Sequence, residues 1–161
     1  MSEQKKLRVN IEFGNAKADF EGDVNQVFEA IIHFITQIYP NLEIVQNIIY
    51  IPNLVQLAEK LVGLVEITSE GPILISGFDQ PAKNMILLTL LGSYVGSKLG
   101  KIPKDTLSSI DLAKVTGKAR KTVSNEIPRL ISEGLVERTL EGEYRLTTLG
   151  IRKTEDITKT S

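Results

Sequence analysis

The feature that most constrains the fold of this chain is the stretch of residues 118–133, which lies between Gly117 and Gly134. Because glycine suits both the sharp turn before a helix and the stop after it, the two glycines delimit one element. Apolar side chains recur within it at the spacing of one helical stripe, so the stretch predicts an amphipathic helix that packs on a core. The stripe consists of Ala119, Val123, Ile127, Leu130 and Ile131.

Both flanks of this helix carry recognisable elements. Before it, Ser108 or Ser109 is a candidate N-cap for a short helix bearing Leu112, Ala113 and Val115. After it, residues 135–139 and 144–146 are short strand-like segments joined by the turn Glu141-Gly142-Glu143. The order predicted for this part of the chain is helix, turn, helix and hairpin.

The side of the helix that faces away from the stripe is basic and polar. Its cations concentrate in the first turn, where the helix dipole disfavours positive charge, and this placement favours a bound anionic ligand. Lysine and arginine can meet phosphates or guanine edges, and asparagine can pair bidentately with adenine. The outward residues are Lys118, Arg120, Lys121, Ser124, Asn125 and Pro128, with Thr122 and Arg129 on the flanks.

The run LAKVTGKARKTVSNEIPRLISEGLVERTLEGEYRLTTLG carries a resemblance. Residues 106–150 resemble a winged helix-turn-helix domain of the kind found in MarR-like and ArsR-like transcription regulators, especially archaeal ones. Helix 82–99 would extend the resemblance as the first helix of the domain. The resemblance implies a recognition helix at about 118–133 and a wing near Arg138 and Arg145. The full candidate DNA-binding set is Lys118, Arg120, Lys121, Thr122, Ser124, Asn125, Arg129, Arg138 and Arg145.

Two features qualify this interpretation. Pro128 cannot donate a helical hydrogen bond, so a kink is expected beyond the first two turns. Glu141 and Glu143 at the wing tip, together with Glu126, would repel phosphates. We therefore expect DNA contact from the helix and not from a wing inserted in the minor groove.

For the N-terminal half of the chain, the sequence predicts both strands and helices. Leu7 to Phe13 alternate apolar and polar residues, Gly14-Asn15 suits a hairpin turn, and Asp23 can cap the helix that follows. Asn53 can cap a second helix over residues 54–61, and Gly63 is a plausible stop. Residues 41–51 fit a helix or a strand equally.

A second hairpin is predicted after Gly63. Residues 64–68 and 73–76 read as strands joined by a turn at Glu70-Gly71-Pro72. The run GFDQPAK, residues 77–83, is the candidate boundary. The predicted fold class is α+β, with a small α+β domain over 1–80 followed by a winged helix-turn-helix domain over 81–161.

Helix 82–99 carries a glycine every four residues. Gly92, Gly96 and Gly100 leave one face without side chains, so another backbone can approach closely. Two readings stay open: tight packing inside the C-terminal domain, or a helix–helix contact in a dimer.

Composition excludes several classes of function. The chain has no cysteine and one histidine, His33, so we expect no metal, no cofactor and no enzyme activity. The N-terminus shows no signal segment, and the longest uncharged run, between Lys83 and Lys98, is shorter than a membrane helix. We expect a cytoplasmic protein.

Charge divides unevenly along the chain. Residues 1–100 hold seven basic and eleven acidic residues, whereas residues 101–161 hold twelve and nine. Different partners for the two halves are expected. The predicted function is a DNA-binding transcription regulator that binds double-stranded DNA as a homodimer, with residues 1–80 serving dimerisation, effector sensing or a protein partner. The alternative is a winged-helix protein-interaction or RNA-binding module within a transcription, translation or chromatin complex.

Overall fold

The computed structural model describes residues 6–38, 50–75, 77 and 79–159, and in these ranges the protein is a mixed α+β structure with three two-stranded sheets and six helices. The chain divides into two compact units, Met1–Ile51 and Pro52–Ser161. In chain order the elements are β1 (Leu7–Phe13), β2 (Ala16–Gly22), α1 (Val24–Ile38), α2 (Leu54–Leu61), β3 (Val65–Thr68), β4 (Gly71–Leu74), α3 (Ala82–Lys98), α4 (Ser109–Thr116), α5 (Arg120–Ser132), β5 (Val136–Arg138), β6 (Tyr144–Leu146) and α6 (Thr148–Thr158).

The first unit is an antiparallel hairpin covered by one helix. Val9 lies opposite Phe20 in the register, and the chain reverses at Gly14, whose φ of 58° suits glycine. Helix α1 packs on this hairpin, with the Phe20 and Phe34 rings 5.8 Å apart in an edge-on arrangement. The Asp23 carboxylate accepts hydrogen bonds from the first helical N–H groups, which confirms the predicted cap.

The second unit is built around α3. Its residues from Met85 to Ser93 are all buried, together with Val95 and Gly96. A helix that is apolar on every side must be enclosed, and α2, α4, α5, α6 and the strands β3, β4 and β6 all pack against it. This helix is the core of the unit, and each later element takes its position from it.

Two glycines of α3 receive the β3–β4 hairpin. A Cβ atom at Gly92 would lie 2.8 Å from a Val65 methyl group and 2.9 Å from Pro72 Cβ. At Gly96 it would lie 2.8 Å from an Ile67 methyl group. Gly92 and Gly96 therefore serve packing within the second unit, against strands that the sequence interpretation had placed outside the C-terminal domain.

The contacts made by α3 show which segments of the chain belong to the second unit. The sequence interpretation set the boundary between residues 80 and 81, whereas the compact units meet between Ile51 and Pro52. Helix α2 and the β3–β4 hairpin belong with the second unit because they pack against α3. Ala82 and Lys83, at the end of the predicted boundary run, already belong to α3.

The predicted turn of the second hairpin is wrong. Gly71 and Pro72 lie inside β4, where they pair with Thr68 and Ile67, and the reversal falls at Ser69 and Glu70. Proline is tolerated because each strand of a two-stranded sheet has a free edge. The buried Pro72 ring then fills the space left by Gly92.

Several predicted helix ends are confirmed. Asn53 and Ser108 accept hydrogen bonds from Gln56 and Asp111 backbone N–H groups at 3.1 Å each. Gly63, Gly117 and Gly134 all adopt positive φ, at 81°, 66° and 72°. The open question of helix or strand over residues 41–51 falls mostly outside the described residues.

The contact at Gly92 can be tested by mutation. Replacing Gly92 by alanine lowers the free energy of unfolding by about 1–3 kcal/mol, because Val65 and Pro72 are stiff and cannot turn away. The loss exceeds the gain in helix propensity of up to about 1 kcal/mol. Chemical denaturation measures the change, with Ser97→Ala as the matched control in the same helix. A Gly92→Ala protein at least as stable as the wild type would contradict the packing.

Candidate nucleic-acid interface

Helix α5 packs on the core of the unit through a single line of buried apolar side chains. Val123, Ile127 and Leu130 are buried at the spacing of a 3.6-residue period, and they pack toward α3 and α4. Two members of the predicted stripe are not inward. Ala119 is the exposed N-cap residue and Ile131 is 39% exposed, because the stripe that the core accepts is narrower than the apolar pattern of the sequence.

The opposite side of α5 is exposed and polar. Lys121, Asn125 and Pro128 follow one another at i, i+4 and i+7, directly across the helix from the buried line. The helix continues through Pro128 to Ser132, with the proline ring on this exposed side. All candidate residues of the helix itself are exposed: Arg120, Lys121, Thr122, Ser124, Asn125 and Arg129.

The N-terminal end of α5 combines free backbone donors with positive charge. Ala119 occupies the N-cap and makes no side-chain capping hydrogen bond, and the first turn holds no acidic residue. In the described part of the chain, Arg120 and Lys121 form no ion pair. Unsatisfied N–H groups beside two cations make a favourable place for an anion such as a phosphate.

Lys118 lies outside the helix and is engaged. It precedes the N-cap, is half-buried, and its Nζ lies 2.9 Å from a carboxylate oxygen of Asp79. The sequence interpretation began the helix near Lys118 and missed this partner, since Asp79 lies 39 residues earlier. A ligand that uses Lys118 competes with Asp79.

The remaining cation of the helix is only loosely paired. Arg129 is 76% exposed in its side chain, and its guanidinium lies 3.8 Å from the Glu126 carboxylate one turn earlier. An exposed pair of this kind is weak and leaves the guanidinium available. The negative charge of Glu126, which the sequence led us to expect would repel phosphates, therefore lies next to the Arg129 guanidinium.

In the β5–β6 hairpin the two predicted arginines differ. The Arg145 side chain donates a 2.6 Å hydrogen bond to the Glu137 carboxylate across the strands, and this bond raises the pKa of Arg145 above its ordinary value. Arg138 is exposed and has no carboxylate partner in the part of the chain that the structure describes. Only Arg138 presents an uncompensated charge here.

The hairpin turn is tied back to the body of the unit. Glu143 binds Lys104 at 2.5 Å and also accepts a hydrogen bond from the Thr106 hydroxyl. Leu107 pairs with Tyr144 as an isolated bridge beside β6. These contacts turn Glu143 away from the free tip, so of the two glutamates only Glu141 remains there without an ion-pair partner among the described residues.

Bonding to Lys104 and Thr106 lowers the pKa of the Glu143 carboxyl below its ordinary value. The same bond raises the pKa of Lys104. No local pattern in the sequence indicates the pair, because 39 residues separate its partners. Lys104 is therefore a structural cation of the hairpin that the candidate set omitted.

No model of a known protein family, no curated protein and no solved structure matches this chain significantly. Over residues 6–38, 50–75, 77 and 79–159, no helix is both long and apolar enough to cross a membrane.

The Glu143 network predicts a pH-dependent difference in stability. Because the pKa of Glu143 is depressed in the folded state, its stabilisation is present above the ordinary glutamate pKa and is lost as pH falls through the lowered value. Glu143→Gln is therefore less stable than the wild type at about pH 7, and the difference shrinks toward about pH 3. Denaturant titrations at several pH values measure it.

Glu141→Gln is the matched control for that measurement. It removes the same charge from the same turn, where Glu141 is exposed and forms no hydrogen bond or ion pair with Lys104 among the described residues. Its stability should follow that of the wild type at each pH. A Glu143→Gln difference that stays constant with pH would contradict the role of the ionised carboxylate.

Proposed function

We propose that this protein binds double-stranded DNA as a transcription regulator, using α5 as the recognition helix of a winged helix-turn-helix. The observation that carries the proposal is the N-terminal half of α5. There two cations without carboxylate partners in the described chain, Arg120 and Lys121, stand beside uncapped backbone N–H groups. This arrangement suits a phosphate, and the exposed Asn125 one turn further along suits a base edge.

The order of elements supports the same function. Helix α4, the turn at Gly117, helix α5 and the β5–β6 hairpin follow one another as a helix-turn-helix with a wing would. The buried line of α5 fixes its outward side, so the groups that would meet a major groove are held on a rigid element. Within the wing, Arg138 is better placed for a phosphate than Arg145, which is occupied by Glu137.

The positive electrostatic field around α5 and the β5–β6 hairpin is modest. Residues 101–161 carry an excess of three basic residues, and Lys118 and Arg145 are already neutralised by carboxylates. Few phosphate contacts give weak binding by a single copy. We therefore propose a homodimer, in which two recognition helices about 34 Å apart, or a multiple of that distance, would read a palindromic site.

Salt-dependent binding tests the proposal. The affinity of the wild type for a duplex of mixed sequence should fall linearly on a log–log plot between about 50 mM and about 200 mM salt. The double variant Arg120→Ala with Lys121→Ala should bind more weakly and reduce the salt slope by about 2, because each lost phosphate contact contributes about 1. Fluorescence anisotropy measures both quantities.

Lys98→Ala with Lys101→Ala is the matched control. It also removes two exposed cations of the second unit, but at the C-terminal end of α3 and not on α5. Its salt slope should stay near that of the wild type. Affinity that does not fall with salt, or that is equal in the wild type and the α5 double variant, would overturn DNA binding by this helix.

A second function is favoured by the paired cations. Lys118, Arg129 and Arg145 each have a carboxylate neighbour, and such internal pairing suits a protein-docking surface better than a phosphate-binding one. On this alternative the helix and hairpin form an interaction or RNA-binding module within a larger complex. A stoichiometric protein partner that is retained from native lysate after nuclease treatment supports a direct protein contact, and loss of that partner on nuclease treatment argues against such a contact.

A further inference from the structure

The first unit leaves a continuous apolar surface on α1. Val24, Phe28 and Ile32 recur at i, i+4 and i+8, and they are 63%, 63% and 46% exposed. The side of the helix that packs on the hairpin is a different one, marked by the buried Val27 and by Phe34 against Phe20. The apolar arc of α1 is thus wider than the two strands can cover.

The hairpin adds to this surface. Leu7 and Phe13 lie at the two ends of β1, on the face that carries α1, and are 39% and 55% exposed. The other face of the hairpin is polar, with Glu12 bound to Lys17 at 3.0 Å and Asn10 bound to Asp19 at 3.0 Å. The exposed large apolar side chains of the hairpin therefore lie on its helical face.

So small a unit gains little from burial of its own apolar groups. Among its described residues, Val27 is the one apolar side chain that is fully buried. The chain has no cysteine for a disulfide, and the described residues hold no cluster of metal ligands. A hairpin with one helix is at the lower limit of independent stability, and oligomerisation is one of the ways in which such units are stabilised.

We propose that the α1 stripe, Val24, Phe28 and Ile32, is the surface through which two copies of this chain associate. The occupant is a second α1, packed antiparallel across a two-fold axis at Phe28, so that Val24 of each copy lies near Ile32 of the other. Such a contact is isologous, which is the commonest arrangement in homodimers.

The available area fits this occupant. With a full aromatic surface of about 150–250 Å² for each phenylalanine, the α1 stripe together with Leu7 and Phe13 of the hairpin offers roughly 500 Å² per copy. Two copies would then bury roughly 1,000 Å², which is the lower limit of a specific interface. The stripe itself holds no charged residue. The stripe therefore has no charge that would select a partner of opposite charge. It can pack against the same apolar stripe of a second copy.

The inference deepens the homodimer of the proposed function by naming its surface, and it is tested without DNA. Sedimentation equilibrium of the full chain should show a dimer for the wild type. Phe28→Glu should weaken self-association by at least about 100-fold, because the contact would bury a carboxylate in place of an aromatic ring at its centre. Gln26→Glu, which adds the same charge on the opposite side of α1, should remain dimeric.

A cysteine variant guards against misfolding of Phe28→Glu. Since the natural chain has no cysteine, Phe28→Cys introduces a single thiol at the proposed axis. Mild oxidation should convert it to a covalent dimer, whereas Gln26→Cys should stay mostly uncrosslinked. A wild-type protein that is monomeric at all concentrations, a dimeric Phe28→Glu protein, or equal crosslinking of the two cysteine variants would overturn the inference. Salt-dependent duplex binding by a monomer would still support DNA binding.

Discussion

Burial of the central part of helix α3, from Met85 to Gly96, is the constraint on which the second unit depends. Leucine and isoleucine side chains face every direction around its axis, so neighbours must enclose it on all sides. Gly92 and Gly96 decide how closely the β3–β4 hairpin approaches, and the buried line of α5 decides which of its sides remains outside. The exposed polar side of α5 is therefore a consequence of how α3 is covered.

Electrostatics divides the candidate residues into two groups. Some cations are bound to carboxylates from distant parts of the chain: Lys118 to Asp79, and Lys104 to Glu143. Arg120 and Lys121 have no such partner in the described chain, and they stand at an uncapped helix end. A charge without a partner retains its full attraction for an incoming anion, whereas a paired one must first give up its neighbour. The proposed DNA contact consequently rests on the first turn of α5.

The two units differ in how they use apolar residues. The second unit buries a large set of apolar side chains in and around α3. In the first unit, Val27 is the one fully buried apolar side chain among the described residues, and Phe13, Val24 and Phe28 are more than half exposed. A two-stranded hairpin is too narrow to cover a helix whose apolar arc extends beyond one face. The proposed self-association through α1 would cover the apolar side chains that the hairpin leaves exposed.

The sequence by itself determined local structure: the hairpin at Gly14, the caps at Asp23 and Asn53, a cap at Ser108 or Ser109, and the helix stops at Gly63 and Gly134. These features depend on backbone conformation and on side chains a few residues away, so a local pattern contains them. It also gave the mixed α+β class and the exposed candidates on α5. The winged helix-turn-helix itself stays a prediction.

Only the tertiary structure decided what depends on distant contacts. It placed residues 54–74 with α3, moved the second turn to Ser69 and Glu70, and left Ala119 and Ile131 exposed. It also supplied the partners of Lys118 and Glu143, each 39 residues away in the chain. Such pairings follow from how elements pack around a buried helix, and residue spacing along the chain carries no record of them.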